Sequence, residues 1–152
     1  MDVEQFLRDA GVEFQRCEHP AAYTAQEVAA EEHVSGDAVA KPVVVRADEE
    51  TLLCVLPASR KIDLGKLAKA VKAKHCTLVD EAELARLFPD VEVGAEPPFG
   101  KPYGLRTVVD AHLAGHERIT FTAGTHRTAI QMKYSDYAKL VEATVADFSV
   151  HL

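Results

Sequence analysis

Residues Lys41 to Pro57 read "KPVVVRADEETLLCVLP", two runs rich in branched aliphatic residues parted by "ADEE". Branched side chains are stiff about χ1 and suit a pleated surface, whereas the acidic interval breaks the apolar pattern. The stretch therefore predicts a β-hairpin with an acidic turn. Lys41 stands before a proline, which disfavours helical geometry and holds the lysine extended at the mouth of the first strand.

Upstream of the hairpin, Asp2 caps a helix whose Val3, Phe6, Leu7 and Ala10 share one face, and Gly11 stops it. A strand is expected in "VEFQRCEH". "TAQE" at Thr24 to Glu27 has the form of a capping box, so a helix should run to about His33. Downstream, Asp63 caps "DLGKLAKAVKAK", with Leu64, Leu67, Ala68 and Val71 on one side at helical spacing. "HCTLV" predicts a short strand, and "DEAELARLF" a capped helix ended by Pro89. Short "VEV", then "LRTVVDAH", "ERITFTAG" and "TAIQMKY", predict further strands, followed by a short helix from Ser135 and a last strand near "VADFSV". Helices and strands mix without regular alternation. The expected fold is a mixed-sheet α/β domain, nearer α+β than doubly wound, spanning 1–152 as one unit without repeats or linkers.

At 152 residues and 47% hydrophobic content, the chain can bury a sizeable core. It has no apolar run of membrane-spanning length, and its acidic, amphipathic beginning is unlike a secretory signal, so no membrane partner and a cytoplasmic location are expected. Cys17, Cys54 and Cys76 are odd in number and widely spaced, which predicts reduced, mostly buried thiols.

A formal charge of −7 argues against DNA or any long nucleic-acid footprint. The charge is uneven, however. Arg60 to Cys76 carries Arg60, Lys61, Lys66, Lys69, Lys72 and Lys74 against Asp63 alone, whereas Met1 to Asp37 sets Arg8 and Arg16 against nine acids. That leaves room for contact with one or a few phosphates, although a solvated helix face is the plainer account of the lysines.

The loop "VGAEPPFGKPYG", Val93 to Gly104, holds three prolines and three glycines. Gly94 can adopt backbone angles closed to other residues, and Pro97 and Pro98 fix φ and remove two amide donors. The result is either a tight surface turn or a rigid ledge of oriented backbone groups. Two residues invite the second reading: Lys41, and His126 in "TAGTHRTAIQM", where Gly124 permits close backbone approach.

Four pieces in order carry a resemblance: Lys41 opening a hairpin, "SRKIDLGKLAKAV", Gly94-x-x-x-Pro98 within "VGAEPPFG", and "AGTH" at Ala123 to His126. Together they resemble the YbaK/EbsC-type proteins, homologous to the editing domain of bacterial prolyl-tRNA synthetases, over about His19 to Phe148. The resemblance implies hydrolysis of the ester joining a wrong, small amino acid to the 3′-terminal adenosine of a tRNA, with alanine, serine, threonine and cysteine as the family's range. It implies that Lys41 is important for activity, that Gly94 to Pro98 shapes the reaction centre, and that His126 helps define the amino-acid pocket. Tyr23, Thr24, Gly124 and Thr125 are expected beside the cleft by the same analogy, with Thr24 also committed to its cap. One departure is Pro42, where members of the family commonly carry a small polar residue.

Such an ester is already activated by its α-ammonium and vicinal hydroxyl, so a placed water, a held substrate and donors facing the oxyanion suffice. Lys41 suits positioning better than proton abstraction. His126 either orients water or substrate, or is a wall histidine bonded to backbone. No cofactor is expected. Nor is a metal: "HLAGH" places His112 and His116 four apart but lacks the glutamate of a zinc-binding HExxH helix and contains Gly115. Two functions stay open, a free-standing aminoacyl-tRNA deacylase, with a synthetase as an optional partner, and a non-catalytic tRNA- or synthetase-binding module. The first requires Lys41, His126 and Gly94 to surround one hollow sized for an adenosine bearing a small acyl group.

Overall fold

The hairpin forms, and the rest of the main sheet is built on it. The computed structural model describes residues 1–152. Its elements are α1 (Val3–Asp9), β1 (Phe14–Glu18), α2 (Ala25–Glu31), β2 (Ala40–Ala47), β3 (Glu50–Pro57), β4 (Arg60–Ile62), α3 (Leu64–Val71), β5 (Cys76–Leu78), α4 (Glu81–Leu87), β6 (Arg106–Asp110), α5 (Ala111–Ala114), β7 (Arg118–Thr122), β8 (Thr128–Lys133), α6 (Tyr134–Val141), β9 (Thr144–Ala146) and β10 (Ser149–His151). No helix is long and apolar enough to cross a membrane.

β2 and β3 pair antiparallel from Ala40 opposite Pro57 to Ala47 opposite Glu50. The turn between them places Asp48 at φ +53°, a left-handed conformation that aspartate tolerates because its short side chain bonds locally. Here that carboxylate accepts the amides of Lys74 and His75. These bonds hold its pKa below the ordinary aspartate value.

The five-stranded sheet runs β5-β2-β3-β6-β9, antiparallel through β5, β2 and β3 and parallel through β3, β6 and β9. An antiparallel sheet, β1-β8-β7, joins it through a bridge between Val39 and Thr120, and β4 pairs with β10. The mixed α/β architecture expected from the sequence is the one observed. The aspartate and threonine caps form as local chemistry requires: Asp2, Thr24, Asp63 and Asp80 each accept the amide three residues on.

Phe99 sits at the centre of the core, with ring centroids 5.6 Å from Phe6, 5.4 Å from Phe121 and 5.2 Å from Tyr137, all edge-on. Such contacts add to area burial, so the loop that carries Phe99 is anchored from within.

Four sequence expectations need correction. Val91 to Val93 form no strand, because the Glu92 amide donates to the Gly124 carbonyl and its carboxylate accepts the His126 amide, a loop-to-loop tie in place of a ladder. The "VADFSV" strand is two: Phe148 buries its ring and turns the chain, so β9 joins β6 while β10 crosses to β4. "LRTVVDAH" leaves the sheet at Asp110, which caps the single-turn α5. Of the three thiols only Cys54 is fully buried, and Cys17 and Cys76 are partly exposed.

Candidate functional site

A cavity of about 280 Å³ opens where the start of α2, the start of β2 and the loop after α4 meet. Lys41, Gly94, Tyr23, Thr24, Pro42 and Glu96 are among the residues that line it. Thr24 reaches it from the N-cap of α2, where its Oγ1 accepts the Glu27 amide at 3.1 Å. Tyr23, 66% exposed, forms the rim.

Lys41 is the second residue of β2, and its ammonium donates to the Arg60 carbonyl at 2.6 Å. Half-burial lowers its pKa, and no carboxylate stands within 4.0 Å of it. Arg60 is itself fixed: Nε donates to Ser149 Oγ at 2.7 Å and Nη2 to the Ser149 carbonyl at 3.2 Å. Ser149 Oγ in turn donates to Asp110 Oδ2 at 2.8 Å, and Asp110 is 0% exposed.

The proline-rich loop is not a surface turn, since every residue from Ala95 to Gly100 is buried. Buried backbone must find partners, and this loop takes several of them from distant elements. The Pro98 carbonyl accepts the Tyr137 hydroxyl at 2.6 Å, the Gly100 amide donates to Thr107 Oγ1 at 3.0 Å, and the Ala95 carbonyl accepts the Gly124 amide at 2.9 Å. Gly94, at φ +89°, turns the chain into this segment, and its amide donates to Glu96 Oε1 at 3.1 Å.

His126 stands behind that turn. Its Nε2 lies 2.9 Å from the Val93 carbonyl, which can only accept, so Nε2 carries the proton. Nδ1 is shut off from solvent without a partner. The ring stacks, tilted, on Tyr23 at 4.7 Å between centroids, and its Cε1 would lie 3.3 Å from a Cβ placed on Gly94.

Of the residues singled out from the sequence, Lys41, Gly94 and Tyr23 line one cavity, whereas His126, expected to help surround it, does not line it and packs behind the Gly94 turn. Gly124 buttresses the same turn from φ +88° through the Ala95 and Glu92 bonds. Thr125 faces a different turn, where its Oγ1 meets Thr128 Oγ1 at 2.9 Å. Pro98 lies in the core rather than on the cavity, and the Gly94 amide, occupied by Glu96, is not available as an oxyanion donor. The sequence reading missed Glu96 and the Arg60 carbonyl. A glutamate ahead of two prolines reads as surface charge, and only the folding of the loop into the interior reverses that.

An apolar recess of about 170 Å³ adjoins the cavity, shares Pro42 and Glu96 with it, and continues over Val44, Leu78 and Leu84. Elsewhere, Asp110, His112 and Asp147 bring one ligand atom each within 4.8 Å of one another. The oxygens of Asp110 already accept from the Phe148 amide, Ser149 Oγ and the His112 ring, and Lys66 Nζ sits 3.1 Å from Asp147. The cluster is a structural hub.

No cysteine lines the cavity. A cation, a carboxylate and stiff main chain on one cavity suit holding a small polar substrate for attack by water.

A model of the aminoacyl-tRNA editing domain matches residues 19–140. Among solved structures, a scaffold protein used in computational epitope backbone grafting superposes with a TM-score of 0.87 at 25% identity, covering 99% of this chain and 96% of that one. A candidate trans-editing enzyme for prolyl-tRNA synthetase gives 0.86 at 24% identity, covering 98% and 95%. A protein of Marinobacter aquaeolei VT8 described as acting in signal transduction gives 0.75 at 20% identity, with 97% of this chain covering 30% of that one.

Proposed function

The chain belongs to the aminoacyl-tRNA editing domain family, and from that premise we propose that it is a free-standing deacylase. Its substrate is the ester between a wrong, small amino acid and the 3′-terminal adenosine of a tRNA. The observation that carries this reading is the convergence of Lys41 and Gly94, far apart in sequence, on one cavity of about 280 Å³.

Lys41 spends one N–H on the Arg60 carbonyl, and that bond aims the remaining two. They face ribose or phosphate oxygens, or the oxyanion that forms as water adds to the ester carbonyl. His126 acts on the loop rather than on the substrate: its bond to Val93 and its contact with Gly94 keep the turn in place. Reaction follows from water held beside an already activated ester, with no covalent intermediate and no cofactor. An acidic protein tolerates this substrate because only the acceptor end enters the site, while Lys61, Lys69, Lys72 and Lys74 stay exposed for the phosphates that follow.

The test is a panel of mischarged tRNAs, each incubated with the wild-type chain and with Lys41→Ala. Turnover of at least one ester, reduced about 100-fold or more in the variant, is the expected result. Equal turnover by both proteins would remove Lys41 from the chemistry, and binding without turnover across the panel would favour a non-catalytic module.

A further inference from the structure

Glu96 is 7% exposed and lines both the main cavity and the apolar recess. One oxygen accepts the Gly94 amide. None of the chain's ion pairs includes it, so no Lys, Arg or His nitrogen lies within 4.0 Å of the carboxylate. Buried carboxylates are as a rule paired, because the cost of leaving water exceeds what one amide bond returns. The nearby candidate partner, Lys41, is turned to the Arg60 carbonyl instead. The cavity therefore holds an unpaired anion and an unpaired cation that do not meet.

We propose that Glu96 forms an ammonium subsite, receiving the α-ammonium of the bound aminoacyl ester while Lys41 holds oxygens at the adenosine end. This rests on the deacylase reading above. An aminoacyl-adenosine ester is complementary to such a site because it brings a primary ammonium at one end and oxygen acceptors at the other. The apolar lining of the recess offers the carboxylate no competing cation. The consequence is selection by charge: esters with a free amino group are accepted, and N-acylated ones, which lack the cation and would leave Glu96 unpaired, are rejected.

Glu96→Gln is the informative variant, since the amide oxygen can still accept from Gly94 and only the charge is lost. The full chain is assayed with alanyl-tRNA and N-acetyl-alanyl-tRNA, or with the best ester of the panel and its N-acetyl form. Once each rate is divided by that ester's uncatalysed hydrolysis, which already favours the free amine, wild type should prefer the free amine by about 10- to 100-fold in kcat/KM, the usual worth of a charge-assisted bond, and Glu96→Gln should erase that excess by losing rate on the free amine only. An equal loss on both substrates would mark Glu96 as a base or a purely structural group and overturn the proposal, as would an excess over the uncatalysed ratio that survives in the variant. A second arm measures calorimetric binding of 3′-deoxy-3′-(alanylamino)adenosine, which cannot be hydrolysed as an ester, and of its N-acetyl derivative. If wild type turns over no ester, the deacylase reading fails alone, provided the free-amine analogue still binds more tightly and Glu96→Gln abolishes the difference. Equal binding of the two analogues, or no binding of either, overturns the ammonium subsite.

Discussion

Replacing Gly94 with alanine separates the conformation of the turn from the contact that braces it. At φ +89° an L side chain costs about 1–2 kcal/mol. The new Cβ would also lie 3.3 Å from His126 Cε1, and that ring is held by Val93 on one side and Tyr23 on the other. Displacing it adds about 0.5–1.5 kcal/mol. The sum, about 1.5–3.5 kcal/mol, lowers the melting temperature by about 3–14 °C in a chain of this size. It leaves the protein folded, given a typical total of about 5–15 kcal/mol. Gly104→Ala is the control: φ is +74° there, but nothing lies within 4 Å of the added carbon, so only the conformational cost applies. Differential scanning calorimetry and deacylation of the best panel substrate read the two variants. Gly94→Ala should also lose rate, by about 10-fold or more, because its turn lines the cavity and a misplaced wall disturbs the reacting geometry. Gly104→Ala should melt lower but keep its rate within about twofold. Removing the brace as well, in Gly94→Ala/His126→Ala, should cost less in melting temperature than the two single losses added together, because the contact between Cβ and the ring is gone. Equal effects of the two single variants on both readouts would refute the argument that His126 and the cavity make Gly94 special.

Two further outcomes follow from buried groups. Tyr137→Phe leaves the Pro98 carbonyl buried without its donor and should cost about 1–3 kcal/mol in urea unfolding, so an unchanged midpoint would mean that the loop finds another partner. Burial pushes the Cys54 thiol up to about 12 from an ordinary 9.0. Between those values the unfolded chain has released a proton that the folded chain retains, so stability falls as pH rises, by at most about 1.4 kcal/mol per unit. Cys54→Ala should flatten that slope, and a slope unchanged in the variant would place the titrating group elsewhere.

What the sequence made legible was local. A capping aspartate or threonine acts three residues away, and a hairpin needs only its two arms and a turn, so Asp2, Thr24, Asp63, Asp80 and Lys41 to Pro57 could be read directly. What stayed hidden depends on partners distant in the chain. Arg60 and Ser149 meet across 89 positions, and β4, which their contact supports, carries no signal of its own in three residues. The resemblance marked Lys41, Gly94 and His126 but not their division of labour, because whether a histidine faces a cavity or braces its wall depends on which carbonyl it meets. Glu96 was invisible for the same reason: its burial comes from a loop that the aromatic anchor Phe99 pulls inward.

The path from Asp110 through Ser149 and Arg60 ends at the ammonium of Lys41, which makes a three-residue edge strand the rigging of the site. Short edge strands open at far lower cost than a whole domain unfolds. Were β10 to come away from β4, Arg60 would lose the serine that moors it and Lys41 its aim, although every helix would remain intact. Competence on a substrate would then fail on warming before the fold does, with an upper temperature limit set by the weakest hem of the sheet rather than by its core.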